Sequence, residues 1–327
     1  MAVELRPRAT AAAGEVLLKI VRAGICGTDY HIYSGLHPFL AYPRVIGHEL
    51  AGVVVTAPPA SGWEVGQLAV VNPYLSCGTC HACRQGLLNC CMNISVLGVH
   101  RDGGMADFLS LPVGNLVPAG TLTPDQAGSV EFLAIGAHAV RRGGVHAGQR
   151  VLVIGAGPIG IGAAIFARIA GGQVTVVDRD PERLALVGDL TGITDRALAD
   201  ANLPQAVAKA TGGDGFDVVF EATGNPASME ASFGHVAHGG SLVLVGLIKG
   251  SIAFSDPEFH RREMQVLASR NATRVDFDNV MGAMLTGEVD VSQLITHRTT
   301  LAGVATDLPH WAAHKAGLIK AMIEFKA

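Results

Sequence analysis

The chain has 327 residues, of which 49% are hydrophobic and 16% charged, so about two well-packed globular domains fit the length. A formal charge of -4 with no basic tract excludes the electrostatic footprint of a nucleic-acid partner. The opening MAVELRPRAT lacks the apolar centre of a signal peptide, and no apolar run approaches ~18 residues. A cytoplasmic protein without a membrane partner is expected.

Glu15 to Arg22, EVLLKIVR, has the pattern of a strand. It runs into AGICGTDYHI, read as a glycine-punctuated turn that brings Cys26 and His31 together. VIGHELAGVVVTA reads as a loop carrying His48 and Glu49, then a strand through Val53 to Val55. Ser61 to Val71 is a turn and another strand. Short strands with Gly and Pro turns continue to about Pro118, the signature of a small β-barrel-like domain. The character changes at Leu122 to Arg142, where Pro124 opens a helix with buried spacing from Val130 onward. Strands at Val151–Ile154, Val174–Val177, Val218–Glu221, Ser241–Val245 and Met264–Ala268 then alternate with helices, which predicts a doubly wound parallel sheet. A helix from Phe277 to Leu285 and mixed elements close the chain.

VLVIGAGPIG, Val151 to Gly160, is a buried strand followed by G-x-G-x-x-G. Gly155 permits the tight turn, Gly157 lets backbone approach a pyrophosphate, and Gly160 allows helix and strand to pack closely. The helix that follows offers free N–H groups and a positive dipole end to phosphate. The next buried run ends in Asp178, placed to bind ribose hydroxyls and to repel the 2′-phosphate of NADP. Glycines alone mark ordinary turns; strand, turn, helix, strand and acid in this order point to a dinucleotide, and Asp178 points to NAD.

Five of the six cysteines lie between Cys77 and Cys91. Cys77, Cys80, Cys83 and Cys91 form C-x2-C-x2-C-x7-C, a spacing that closes four thiolates around a structural Zn2+. Cys90 is surplus, and spacing alone leaves it exchangeable with Cys91. Cys26 and His48 sit in separate glycine-rich loops, each flanked by an acid, Asp29 and Glu49, able to orient an imidazole. Taken singly, such a histidine is more often a hydrogen-bonded core residue than a ligand.

GICGTDYH, GHELAG, the cysteine lobe and VLVIGAGPIG, in that order over nearly the whole chain, resemble the zinc-dependent medium-chain alcohol dehydrogenase family. The resemblance implies an α/β chain: a GroES-like β-barrel catalytic domain (residues 1–133 and 272–327) plus a Rossmann doubly wound parallel-sheet domain (134–271). SVEFLAIGAHAVRRG is similar to a segment of the sorbitol dehydrogenase branch, and there makes Glu131 the third ligand of a catalytic zinc, after Cys26 and His48. Glu49 is left as a base or transient ligand. By the same resemblance Thr28 accepts the substrate proton and passes it towards His31. Gly155, Gly157, Ile159, Gly160, Asp178, Arg183, Thr223, Gly246 and Asn271 would line the cofactor site. Arg183 and Thr28 have plain alternatives, a surface charge and a turn-forming threonine.

These features imply an NAD-dependent oxidoreductase acting on a secondary alcohol of a polyol or sugar acid. LASRNATRVDF, Leu267 to Phe277, resembles a segment of hexonate dehydrogenases; Arg270, Asn271 and Arg274 would then hold a carboxylate, or else border the nicotinamide or the surface. The alternatives are a threonine-type amino-alcohol dehydrogenase and a non-catalytic zinc protein of the same fold. A homo-oligomer, dimer or tetramer, is expected from the family. Relatives carry a strand or two before the segment matching Glu15, so either the start lies late or the first sheet edge is shortened and exposed.

Overall fold

The computed structural model describes residues 1–36 and 40–326, which form two units, Met1–Phe132 with Thr273–Ala327 and Leu133–Ala272. The first unit opens with β1 (Glu15–Ile25), whose apolar residues other than Val21 are buried, followed by α1 (Gly27–Tyr33). A helix replaces the turn expected around Cys26. Its cause is local: Cys26 is the N-cap, its Sγ accepts from Thr28 N, and the Asp29 carboxylate accepts from Cys26 N in a capping box. Gly27 after Cys26 masks this signal in the sequence.

β2 (Glu49–Thr56) takes Glu49 into the sheet, where the sequence suggested a loop. β3 (Leu68–Val71) is followed by β4 (Tyr74–Leu75), α2 (His81–Arg84) and β5 (Ser95–Val96), which carry the cysteine lobe. β6 (Phe108–Pro112) and β7 (Leu116–Pro118) lead to α3 (Pro124–Gly143), the helix that Pro124 announces.

The second unit runs β8 (Arg150–Ile154), α4 (Pro158–Ile169), β9 (Gln173–Asp178), α5 (Pro181–Thr191), β10 (Arg196–Leu198), α6 (Leu203–Thr211), β11 (Phe216–Glu221), α7 (Pro226–Ser232), β12 (Val236–Leu244), α8 (Asp256–Arg261) and β13 (Gln265–Ala268). Its sheet has the order β10-β9-β8-β11-β12-β13 and every pairing is parallel. This is the doubly wound Rossmann arrangement, with its order reversing between β8 and β11. β10, with three residues, is too short to stand out in the sequence, and β12 begins at Val236, ahead of the apolar run at Ser241.

The chain then returns to the first unit with α9 (Arg274–Leu285), β14 (Ile295–Thr300), α10 (Val304–Ala313) and β15 (Lys320–Glu324). The main sheet there reads β14-β15-β1-β2-β3-β7, with β6 pairing the first half of β1. β1 is thus partnered along both edges, by β2 on one side and by β6 and β15 on the other. Of the two alternatives offered for this segment, an exposed edge along β1 is not seen among the described residues. Val16, Leu18, Ile20, Leu50, Val54, Trp311 and Ile323 share the buried core of this unit.

Sheet register does one thing that matters for function. Gly24 of β1 lies opposite Glu49 of β2 and Met322 of β15. A Cβ at Gly24 would collide with the Glu49 carboxylate, so only glycine lets that side chain lie across β1 towards β15. Lys320, the first residue of β15, meets it there.

Candidate metal centre and dinucleotide site

In the first unit, Cys26 at the head of α1 and Glu131 on α3 each approach His48, which stands just before β2. Cys26 Sγ lies 3.1 Å from His48 Nε2. Ligand atoms of His48, Glu49 and Glu131 lie within 4.8 Å of one another, as do those of Cys26, Asp29 and His48. His48, Glu49, Glu131 and Asp29 are all buried. The sulfur and the carboxylate oxygens gathered around the His48 imidazole are the donor types that suit a catalytic Zn2+ with an open position. Among the described residues, His48 Nδ1 and Asp29 Oδ1 are buried polar atoms without a protein partner, which such a cluster leaves expensive unless an ion organises it. The residues therefore fit the metal.

The electrostatics follow from burial. Desolvation pushes the Cys26 thiol up and pushes the Glu131 carboxyl up to about 7, the latter against the pull of His48. Burial opposes charge on His48, yet the neighbouring Cys26 sulfur outweighs it and holds the imidazole pKa well above its ordinary value. These groups carry protons that a cation would displace.

Glu49 is differently placed. Lys320 Nζ donates to its two carboxylate oxygens at 2.7 and 2.8 Å and reaches Ile25 O at 3.3 Å. The ammonium also lies 4.3 Å from the Phe132 ring centroid. Both members of the pair are only 1% exposed. Thr28 sits half-buried in the first turn of α1 and His31 is exposed on the same helix.

The four-cysteine lobe is compact. Cys80 Sγ is 3.4 Å from Cys83 Sγ and 3.9 Å from Cys91 Sγ, and Cys91 Sγ is 3.5 Å from Cys77 Sγ. A tetrahedron with Zn–S bonds of about 2.3 Å has edges of about 3.8 Å, which these separations match. Cys91 is buried in the cluster and Cys90 is exposed outside it, so the structure separates two neighbours that spacing could not. In the free lobe the backbone N–H of Thr79 pulls Cys77 down to about 5, while burial pushes Cys83 up to about 12.

In the second unit, the dinucleotide candidates follow the carboxyl ends of β8, β9, β11 and β12, the crevice where doubly wound sheets bind ligands. Gly155 has φ +105°, and Gly157 caps α4 with open space where a Cβ would stand. A Cβ on Gly160 would strike Gly155 O. Asp178, at the end of β9, accepts from Ala156 N at 2.6 Å and from Asp180 N at 2.9 Å. Ile159 is half-buried in the first turn of α4. Arg183 on α5 lies 3.8 Å from Asp180, Thr223 is exposed after β11, and Gly246 follows β12 against Gly224. Asn271 follows β13 with φ +55°. Arg274, offered as a carboxylate ligand, pairs with Asp278 along α9 at 2.8 Å with both side chains exposed, which is the surface alternative.

Three polar residues at these sites escape the sequence reading. Tyr74 donates its buried hydroxyl to Glu131 Oε1. Lys320 partners Glu49; a lone lysine in the apolar run IKAMIEF was the available signal, because a buried ammonium requires a partner. Glu221, wholly buried, accepts from Thr223 N at 3.1 Å, from Ser228 Oγ at 2.9 Å and from the Thr223 hydroxyl, so it fixes the loop after β11.

Residues 12–125 match the alcohol dehydrogenase GroES-like domain and residues 158–287 the zinc-binding dehydrogenase domain. The chain is 42% identical to L-galactonate-5-dehydrogenase of Escherichia coli (strain K12), over 95% of this chain and 92% of that protein. It belongs to the zinc-dependent medium-chain alcohol dehydrogenase family. Among solved structures, an alcohol dehydrogenase from Escherichia coli CFT073 complexed with NADH superposes with a TM-score of 0.91, at 29% identity, covering 98% of this chain and 94% of that one. A zinc-binding dehydrogenase from Sinorhizobium meliloti 1021 bound to NADP gives 0.86 at 28% identity, covering 97% and 93%. The chain is thus a dehydrogenase of this family, with a GroES-like domain and a Rossmann domain. No helix among the described residues is long and apolar enough to cross a membrane.

Proposed function

We propose that this dehydrogenase oxidises a secondary alcohol of a sugar acid, or of a polyol as the next class, and passes the hydride to NAD. The observation that carries the reading is buried His48, which has half-buried Cys26 against it at 3.1 Å and the Glu131 carboxylate within 4.8 Å. In this reading those three residues hold a catalytic zinc, and Cys77, Cys80, Cys83 and Cys91 hold a structural one, two ions per chain. Zinc at the first site supplies Lewis acidity that lowers the pKa of an alcohol hydroxyl.

Asp29, which accepts from Cys26 N, and Glu49, paired with Lys320, stand beside the imidazole and thiol. Thr28 accepts the hydroxyl proton and His31, exposed on the same helix, returns it to solvent. Gly155, Gly157, Ile159 and Gly160 receive the pyrophosphate. Asp178 takes the adenosine ribose hydroxyls, with Arg183 beside them, and Thr223, Gly246 and Asn271 border the nicotinamide half. The two backbone hydrogen bonds to Asp178 hold its carboxylate in place, which supports NAD because a fixed anion repels a 2′-phosphate. Identity to L-galactonate-5-dehydrogenase supports a hexonate substrate.

The reading includes a cytoplasmic homo-oligomer. All six cysteines are unpaired, as a reducing compartment requires, and among the described residues β13 leaves one edge of its sheet open with Val266 exposed. Purified protein is assayed for NADH formation with L-galactonate, L-idonate, polyols and L-threonine, and its zinc is counted. Hexonate-dependent NADH and two zinc ions per chain support the proposal; turnover of threonine alone, or one zinc and no turnover with any alcohol, refutes it.

A further inference from the structure

We propose that Tyr74 is the positioning residue for Glu131, holding one carboxylate oxygen with a neutral donor so that the other, and the whole negative charge, is left for the metal. The inference rests on the reading of Glu131 as a ligand. Of the three buried carboxylates here, Asp29 accepts from Cys26 N in the helix cap, while Glu49 and Glu131 stand together near one buried ammonium, that of Lys320. Lys320 gives Glu49 two hydrogen bonds and cancels its charge. Tyr74 gives Glu131 a hydrogen bond and no charge, since a phenol is a neutral donor. The two acids thereby acquire different work: Glu49 is neutralised in place, and Glu131 stays available to a cation.

The tyrosine is anchored well enough to do this. Its N–H donates to Asn72 Oδ1 at 3.1 Å, and Asn115 Nδ2 donates to Tyr74 O at 3.2 Å and to Asn72 O at 2.9 Å. Leu97 N donates to Pro73 O at 3.1 Å, and Tyr74 pairs with Val96 across the β4–β5 ladder. The same two strands enter and leave the cysteine lobe, β4 ending two residues before Cys77 and β5 beginning four after Cys91. A ring fixed from its own backbone removes the rotamer freedom that a free glutamate side chain would lose on binding an ion.

The test compares Tyr74→Phe and Glu131→Gln with the wild-type holoenzyme. Zinc affinity is measured by chelator competition, with Co2+ spectra as a second readout. Groups that orient a metal ligand typically govern affinity 10- to 100-fold. Tyr74→Phe is expected to keep one zinc at wild-type affinity, in the lobe, while the dissociation constant of the second rises ten- to a hundredfold and its Co2+ spectrum changes. Glu131→Gln is expected to lose at least as much at the same site. If Tyr74→Phe holds the second ion as tightly as wild type while Glu131→Gln releases it, the tether is refuted and the ligand stands. If Glu131→Gln also binds normally, the ligand reading falls and takes the tether with it. Equal weakening of both ions by Tyr74→Phe would make the tyrosine a support of the lobe and overturn the proposal.

Discussion

Replacing Lys320 by methionine should destabilise the first unit severely, because it strands the Glu49 carboxylate in the core. The lysine makes two hydrogen bonds to that carboxylate, one to Ile25 O, and lies against the Phe132 ring, with both ion-pair members 1% exposed. At 2.7 Å and an effective dielectric of 20, the lost attraction alone is about 6 kcal/mol, partly offset because the ammonium no longer has to be desolvated. Breaking one side of a buried pair costs about 3–5 kcal/mol in practice, which would lower the melting temperature of a unit this size by roughly 6 to 20 °C. Thermal and denaturant unfolding of the metal-free protein measure this directly. Methionine at both positions should recover most of the loss, since an apolar pair of similar volume leaves no uncompensated charge. A single Lys320→Met within about 1 kcal/mol of wild type, or a double variant no more stable than the single one, would refute the reasoning.

Other expectations follow from the same geometry. Burial holds the Glu131 carboxyl up at about 7 in the metal-free chain, against an ordinary 4.5, so the folded state keeps a proton that the unfolded state has released. Stability from this group is full below about 4.5 and is lost as pH rises to about 7; denaturant midpoints across that window check it. The same proton must leave for an ion to bind, and so must the proton of the raised Cys26 thiol, so zinc affinity should fall about a hundredfold per pH unit below 7 and about tenfold per unit just above it. Competition titrations at fixed pH values read the slope. Gly160→Ala should abolish NADH binding or folding of the second unit, since its methyl group would meet Gly155 O, and NADH fluorescence titration with a melting curve tells which. Asp178→Ala should lower the preference for NAD over NADP at least tenfold, seen as the ratio of kcat/KM values; an unchanged ratio would remove Asp178 from cofactor discrimination.

What the sequence shows of this protein divides along physical lines. Local chemistry is legible: Gly155 needs a positive φ, Pro124 opens a helix, and four cysteines at short spacing have one good use. Short-range competition is harder. Gly27 reads as a breaker, yet the Cys26–Asp29 capping box outweighs it and turns the expected loop into α1. Least legible are contacts made only by sheet register. Nothing near Glu49 in the chain announces Lys320, 271 residues away, and Tyr74 reaches Glu131 only because β4 lies beside α3 in the folded unit. Those long-range partners are also what distinguish the two acids, one beside an ammonium and the other beside a phenol. Spacing alone finds the four-cysteine lobe and family resemblance points to Cys26, His48 and Glu131, while the partners that set the proposed ligand Glu131 apart from Glu49 come from the fold.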